Sequence, residues 1–336
     1  MCAEIGHNHQ GNVAQALALI EECAEAGVSA VKFQKRDNAA IYTRALLMQP
    51  YEHEHSYGST YGQHRAALEF GETAYRECYA VAAHCGVAAF ATAFDEASAD
   101  FLMRVGTPAL KIASGDLTNT PLLAYVAQLG VPLILSTGGG TFADIDRAVQ
   151  TITRHTSQLA VLHCTASYPV RDWSELNLRV IPALRARYPD LVIGWSGHDS
   201  GIAMSVMAYT LGARIIEKHV TRNRALKGTD HAFSLEPAGV KKLVRDLERA
   251  RLALGDGEKR RYPSEEAPLR KMAKALVAVR PLPAGHVLTA ADLARKSPAD
   301  GMAPYLLDSV VGFTLAEPLT TDEPLTYAHL RAEAHA

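Results

Sequence analysis

The chain carries Val192-Ile193-Gly194-Trp195-Ser196-Gly197-His198 and then Arg214-Ile215-Ile216-Glu217-Lys218-His219, two short apolar runs that each end in a histidine. Runs of this length, rich in Val and Ile, read as strands of a parallel sheet buried on both faces. Imidazole is a common ligand for a catalytic divalent metal, and an α/β barrel gathers the C-terminal ends of its strands around one pocket. His198 and His219 are therefore candidate metal ligands. The plainer alternative is a pair of polar residues satisfied within the fold.

The same pattern recurs outward from these two runs. Strands are expected at Cys2 to Gly6, Ala30 to Gln34, Ala88 to Thr92, Ala109 to Ala113, Pro132 to Ser136, Ala160 to Cys164, Leu191 to Trp195 and Arg214 to His219, each followed by a helical pattern. Eight strand–helix units are the count of a TIM (β/α)8 barrel, expected over residues 1–254. The first helix places Val13, Leu17, Ile20 and Ala24 at three- or four-residue steps before Gly27, a helix stop. The segment from Arg36 to Phe70 is too long for an ordinary βα loop and reads either as a lid over the active face or as a solvated excursion.

After Leu254 the pattern changes. Turn residues and charge in Gly255-Asp256-Gly257-Glu258-Lys259-Arg260-Arg261-Tyr262-Pro263, then a helical run from Glu265 to Lys274, mark a linker over 255–274. Residues 275–336 form short β-like pieces such as Leu276-Val277-Ala278-Val279, with a helix start at Thr289-Ala290-Ala291-Asp292-Leu293. They are expected to be a compact, β-rich second domain.

Composition narrows the function classes. A formal charge of −2, with no Lys/Arg run, leaves no basic excess to hold a nucleic-acid backbone. No apolar stretch approaches the roughly 20 residues needed to span a bilayer, and the N-terminus has no signal pattern, so a cytoplasmic chain with no membrane partner is expected. The five cysteines are irregularly spaced without C-x-x-C and read as reduced core thiols.

Polar residues concentrate at the ends of the expected strands: Glu4, Lys32, Gln34, Thr92, Lys111, Ser114, Ser136, Thr165, Tyr168, Ser196, His198, Glu217 and His219. That is the catalytic face of such a barrel. A lysine inside a Val/Ile/Phe run is costly unless its ammonium meets an anion. Lys32 and Lys111, with the hydroxyls of Thr92, Ser114, Ser136 and Ser196 and backbone amides from Gly138-Gly139-Gly140, suit a phosphate and a carboxylate. Alternatively, the lysines pair with Glu4, Asp116 or Glu217. Asp230 follows the eighth strand, where it accepts from sugar hydroxyls or merely starts a helix-entry loop. Tyr168 is a site residue or a packing aromatic.

The assembled blocks resemble the sialic acid synthase family: Ala3-Glu4-Ile5-Gly6, Val31-Lys32-Phe33-Gln34-Lys35, Tyr61-Gly62-Gln63-His64-Arg65, Lys111-Ile112-Ala113-Ser114-Gly115-Asp116, Leu135-Ser136-Thr137-Gly138, His163-Cys164-Thr165, Ser196-Gly197-His198, Glu217-Lys218-His219 and Ser234-Leu235-Glu236-Pro237. The tail resembles that family's antifreeze-like (SAF) domain. The resemblance implies a TIM barrel that condenses phosphoenolpyruvate with N-acetylmannosamine or a related amino sugar, giving N-acetylneuraminate and phosphate. It implies a divalent metal, manganese first, with magnesium or cobalt as alternatives, held by His198 and His219. It implies Lys32, Thr92, Lys111, Ser114, Ser136 and Ser196 around phosphoenolpyruvate, and Glu4, Gln34, Tyr168 and Asp230 near the sugar. Glu4, Lys111, His198 and His219 are the implied catalytic set, with Glu4 a candidate general acid/base. It also implies a domain-swapped homodimer in which the small domain caps the partner's barrel.

Three departures bear on the acceptor, on phosphoenolpyruvate and on the N-terminus. Ser297-Pro298 stands where bacterial members carry Arg-Pro, which puts acceptor recognition in question and admits a sugar 6-phosphate. Ala166 occupies a position that can be asparagine or serine in relatives, which removes one hydrogen-bonding group near phosphoenolpyruvate. The chain also starts directly in strand one, where relatives have a short leader. Competing readings are an amidohydrolase using His7-Asn8-His9, which lacks the required histidine on strand five and aspartate on strand eight, and a non-catalytic sugar-binding protein. An ice-binding module would leave the barrel unexplained. Mannose-type and diacetamido sugars would use the same core machinery.

Overall fold

The computed structural model describes residues 1–331; the last five residues of the expected second domain lie outside them. Eight parallel strands close into a barrel in sequence order: β1 (Cys2–Glu4), β2 (Ala30–Lys35), β3 (Ala88–Ala93), β4 (Leu110–Ile112), β5 (Leu133–Ser136), β6 (Leu159–Cys164), β7 (Val192–Gly197) and β8 (Ile215–His219). Closure pairs β1 with β8 and β2, so that Glu4 lies in register with both His219 and Lys32. Residues far apart in sequence thereby share one rim.

Strand alternation sorts the side chains. On β8, Ile216 and Lys218 face the helices while Glu217 and His219 face the barrel axis; on β2, Val31 and Phe33 pack outward while Lys32 and Gln34 face the cavity. β1 ends earlier than expected, at Glu4, because Gly6 turns the chain at φ +51°. A Cβ there would also stand 3.0 Å from the Glu4 carboxylate. β7 instead runs two residues beyond its expected end, to Gly197.

The first helix spans Val13–Glu25 behind the Asn12 cap, but its buried stripe is Ala16, Leu19, Ile20 and Cys23, with Val13, Leu17 and Ala24 only flanking it. The pattern located the helix and misjudged the centre of its face. The long Arg36–Phe70 segment is built from short helices, Asn38–Ile41, Arg44–Leu47 and Tyr61–Ala67, and is tied to the loop after β8. Tyr57 Oη donates to the Lys227 carbonyl at 2.5 Å and Gly228 N donates to His55 Nδ1 at 3.3 Å.

The chain divides into two compact units, Met1–Gly255 and Asp256 onward. Within the second, the stretch read as a linker contains the helix Glu266–Met272. β9 (Ala275–Ala278) and β10 (Leu293–Lys296) pair antiparallel over a core that includes Leu276, Leu288, Leu315 and Leu325. The helix expected at Thr289 is a single 3-10 turn, Ala290–Asp292. Asp292 accepts from the Thr289 backbone and hydroxyl, and the chain enters β10 at the next residue. No helix among the described residues is long and apolar enough to cross a membrane.

Candidate active site

A cavity of about 570 Å3 opens at the C-terminal ends of the barrel strands, and the twelve residues that the resemblance implied for the site line it: Glu4, Lys32, Gln34, Thr92, Lys111, Ser114, Ser136, Tyr168, Ser196, His198, His219 and Asp230; of the other strand-end residues singled out, Glu217 lines it and Thr165 does not. Its size falls within the range of roughly 300–1,000 Å3 typical of small-molecule sites.

The inner end is a four-charge cluster. Lys32 Nζ is 2.6 Å from Glu4 and 3.8 Å from Glu217, while Lys111 Nζ donates to both Glu217 oxygens at 3.2 Å. All four side chains are buried, two cations against two carboxylates. Of the three pairings weighed from sequence, the lysines make those with Glu4 and Glu217; Asp116 is not their partner. Burial pushes both carboxyls up. At Glu217 the two ammonium groups outweigh it and hold the group at about 2. Glu4, which shares Lys32 and feels the negative Glu217, stays above its ordinary value and is the more easily protonated of the two. Such a split between neighbouring carboxyls separates a fixed counter-charge from a proton carrier.

Hydroxyls surround the cluster. Lys32 Nζ donates to Thr92 Oγ1 at 3.0 Å and Ser196 Oγ donates to Glu217 at 3.1 Å. Ser136 Oγ is buried with no protein partner. Ser114 Oγ accepts from Gly138 N at 3.0 Å, and a Cβ on Gly138 would stand 2.8 Å from that hydroxyl. The Gly138-Gly139-Gly140 run does not act as the expected set of free amides: Gly138 N is spent on Ser114 and Gly140 N on the Thr137 carbonyl. Gln34 donates to Glu4 at 2.7 Å and accepts from Arg36, so it holds the Glu4 carboxylate in place.

His198 and His219 stand side by side, ring centroids 5.3 Å apart, against Tyr168 and Phe233. A carbonyl can only accept, so the 3.0 Å contact of His198 Nδ1 with the Thr165 carbonyl places the proton on Nδ1 and leaves Nε2 as a lone pair. Burial lowers both imidazoles, to about 3 at His198 and about 4 at His219, so both are neutral at physiological pH. His219 Nδ1 lies 3.5 Å from Asp230 and makes no hydrogen bond. Among the described residues no cluster of three His, Cys, Asp or Glu side chains is arranged for a metal. Two neutral imidazoles with a carboxylate behind one of them do fit a divalent ion that keeps its other positions open to substrate.

The His7-Asn8-His9 run is not a ligand pair. His7 lines the cavity, but His9 stacks on Phe70 at 4.0 Å and accepts from Gly11 N, while Asn8 ties the Val220 carbonyl and Ser234.

The sequence reading placed Glu217 on the catalytic face and weighed it as a partner of the lysines, but assigned it no role in the site, although its place two residues before His219 on an alternating strand puts both on the same face. The cavity is also lined by Arg36, Tyr42, Tyr51, Arg65 and Phe94, which were not singled out. Three of these come from the Arg36–Phe70 segment's interior, whose position no local pattern reveals.

Comparison with known proteins gives the same direction. The NeuB family model matches residues 19–259 and the SAF domain model residues 273–331. The chain is 39% identical to N-acetylneuraminate-9-phosphate synthase of Drosophila melanogaster, over 96% of this chain and 93% of that protein. It is 33% identical to N,N'-diacetyllegionaminic acid synthase of Legionella pneumophila, over 98% and 94%. The crystal structure of N-acetylneuraminic acid synthetase from Leptospira borgpetersenii, in complex with citrate, superposes with a TM-score of 0.68 at 33% identity, covering 80% of this chain and 88% of that one.

Proposed function

The chain belongs to the NeuB family, and from that premise we propose that it joins phosphoenolpyruvate to N-acetylmannosamine, or a closely related acylamino sugar, with the help of a divalent metal. The class follows from the family: this is a synthase that condenses phosphoenolpyruvate with an amino sugar. The acceptor, the metal and the role of each residue are the proposal. The observation that carries it is the buried Lys32/Lys111 pair, placed beside two neutral imidazoles in one cavity.

In this reading Lys32 and Lys111, with the hydroxyls of Thr92, Ser114, Ser136 and Ser196, take the phosphate and carboxylate of phosphoenolpyruvate. Tyr168, Gln34 and Asp230 border the acceptor. C3 of phosphoenolpyruvate bonds to the aldehyde carbon of the open-chain sugar, using the electron pair of its C2=C3 bond. The aldehyde oxygen takes one proton, water adds at C2, and the C2–O bond to phosphate breaks to leave a ketone. The two protons of the water end on the new hydroxyl and on phosphate. Glu4, the carboxyl most easily protonated, is assigned to move the first of these, while Glu217 stays charged and anchors both lysines. His198 Nε2 and His219 would hold the metal, manganese first, with magnesium or cobalt as alternatives; it would supply Lewis-acid polarisation of the aldehyde oxygen.

We also propose a domain-swapped homodimer and a cytoplasmic location, the compartment of phosphoenolpyruvate; light scattering and cell fractionation test these. The reaction is tested by phosphate release from phosphoenolpyruvate with Mn²⁺, offering N-acetylmannosamine, its 6-phosphate, mannose and a diacetamido sugar, with His198→Ala as control. Release that needs both an acylamino sugar and His198 is the expected result. A folded, metal-loaded enzyme that consumes phosphoenolpyruvate with none of them would sink the proposal.

A further inference from the structure

The two ends of the cavity differ in charge balance. At the inner end each lysine faces a carboxylate. At the outer end the cavity is lined by two guanidinium groups, those of Arg36 and Arg65. Arg36 is paired: it lies 3.3 Å from Glu69, a carboxylate outside the cavity lining that also meets Lys35 at 3.2 Å.

Arg65 has no carboxylate partner among the described residues. It sits on the helix Tyr61–Ala67, half-buried and facing the cavity. Its Nε donates to Tyr61 Oη at 2.8 Å and its guanidinium lies 5.0 Å from that ring's centroid. Tyr61 Oη in turn meets Tyr42 Oη at 3.3 Å. These contacts fix the plane of the guanidinium and leave its two terminal amino groups without a protein acceptor. A guanidinium held in one plane, partly removed from water and without a counter-ion, is matched to a phosphate, which accepts two parallel N–H bonds.

The geometry points to a second anion subsite at the outer end of the cavity, built on Arg65 with Tyr42 beside it, that takes the terminal phosphate of a phosphorylated acceptor sugar. The inference rests on the condensation proposed above, in which phosphoenolpyruvate's own phosphate occupies the inner lysines. The two anions of the reaction are then held at opposite ends, with the aldehyde between them. This subsite uses no residue of the small domain, and so does not depend on Ser297.

The test measures kcat/KM for N-acetylmannosamine and for its 6-phosphate, with saturating phosphoenolpyruvate and Mn²⁺, in the full chain and in Arg65→Gln and Arg65→Lys. The expected result is a preference for the phosphorylated sugar in the wild type. That ratio falls at least tenfold, about 1.4 kcal/mol, in Arg65→Gln and recovers in part in Arg65→Lys. A wild type that uses the plain sugar as well as its phosphate overturns the subsite. So does an Arg65→Gln enzyme that loses both activities in proportion. Turnover with a diacetamido sugar alone removes the subsite while the condensation stands, and no turnover with any acceptor removes both.

Discussion

Glu217 carries more of the site than its place among two histidines and a lysine suggests. It meets Lys111 through both oxygens, receives the Ser196 hydroxyl and lies within reach of Lys32. Removing its charge leaves two buried ammonium groups with only Glu4 to balance them, which is costly in a low-dielectric interior. Glu217→Gln is therefore expected to lower the melting temperature of the free enzyme. An anionic ligand that binds the lysines would supply the missing charge, so phosphoenolpyruvate should raise the melting temperature of Glu217→Gln by more than that of the wild type. Equal shifts in a thermal melt would mean that the lysines are not the anion cradle. At this scale the sequence was informative where chemistry sits on a strand, because a period of two decides which residues share a face. It gave no role to Arg65, which ends the quoted block Tyr61-Gly62-Gln63-His64-Arg65, and was silent for Tyr42. Their segment has no periodicity that aims a side chain, and only the tertiary path from Arg36 to Phe70 brings them to the cavity.

The alternation of β8 also explains a pair that takes no part in the chemistry. Lys218 points away from the barrel axis between Glu217 and His219, and its ammonium donates to Asp199, the residue after His198, at 2.9 Å. Both side chains are fully buried, and Lys218 also reaches the Asp199 carbonyl at 2.5 Å and lies 5.7 Å from the Trp195 ring centroid. The pair thus fastens the ends of β7 and β8 from behind, at the two residues adjoining the histidines. Lys218→Met leaves a buried carboxylate unpaired and is expected to cost about 3–5 kcal/mol in urea unfolding. Adding Asp199→Asn removes the stranded charge, so the double variant should regain a substantial part of that loss. A double variant as unstable as the sum of the single ones would show that the two groups do not depend on each other. The sequence showed β8 as a strand without showing this pair, because Asp199 lies just beyond β7 and reads locally as a loop residue.

At the scale of the whole chain, two units with separate cores predict two unfolding events, and the tryptophans separate them. Trp173 and Trp195, the chain's two tryptophans, both belong to the barrel, so their fluorescence reports that unit alone, whereas calorimetry reports both. The small unit is organised by Asp292, which accepts from Arg280 at 2.6 Å, His286 at 2.9 Å and the Thr289 backbone and hydroxyl at 2.9 and 2.7 Å. Burial alone would raise its carboxyl; the hydrogen bonds from His286 and Thr289 outweigh it and hold the group well below the usual aspartate range. A carboxyl depressed in the folded state binds fewer protons there than in the unfolded chain, so its stabilisation is complete above the ordinary aspartate value near 4. It drains away as pH falls below that value toward the folded one. Asp292→Asn should accordingly lower the calorimetric transition that tryptophan fluorescence does not see, by about 2 kcal/mol at pH 7, from lost charge-assisted hydrogen bonds. The gap between variant and wild type should narrow on acidification below pH 4, while the fluorescence transition of the barrel stays in step in the two proteins. A gap that persists unchanged into acid would place the stabilisation in packing of the 290–292 turn and not in its charge.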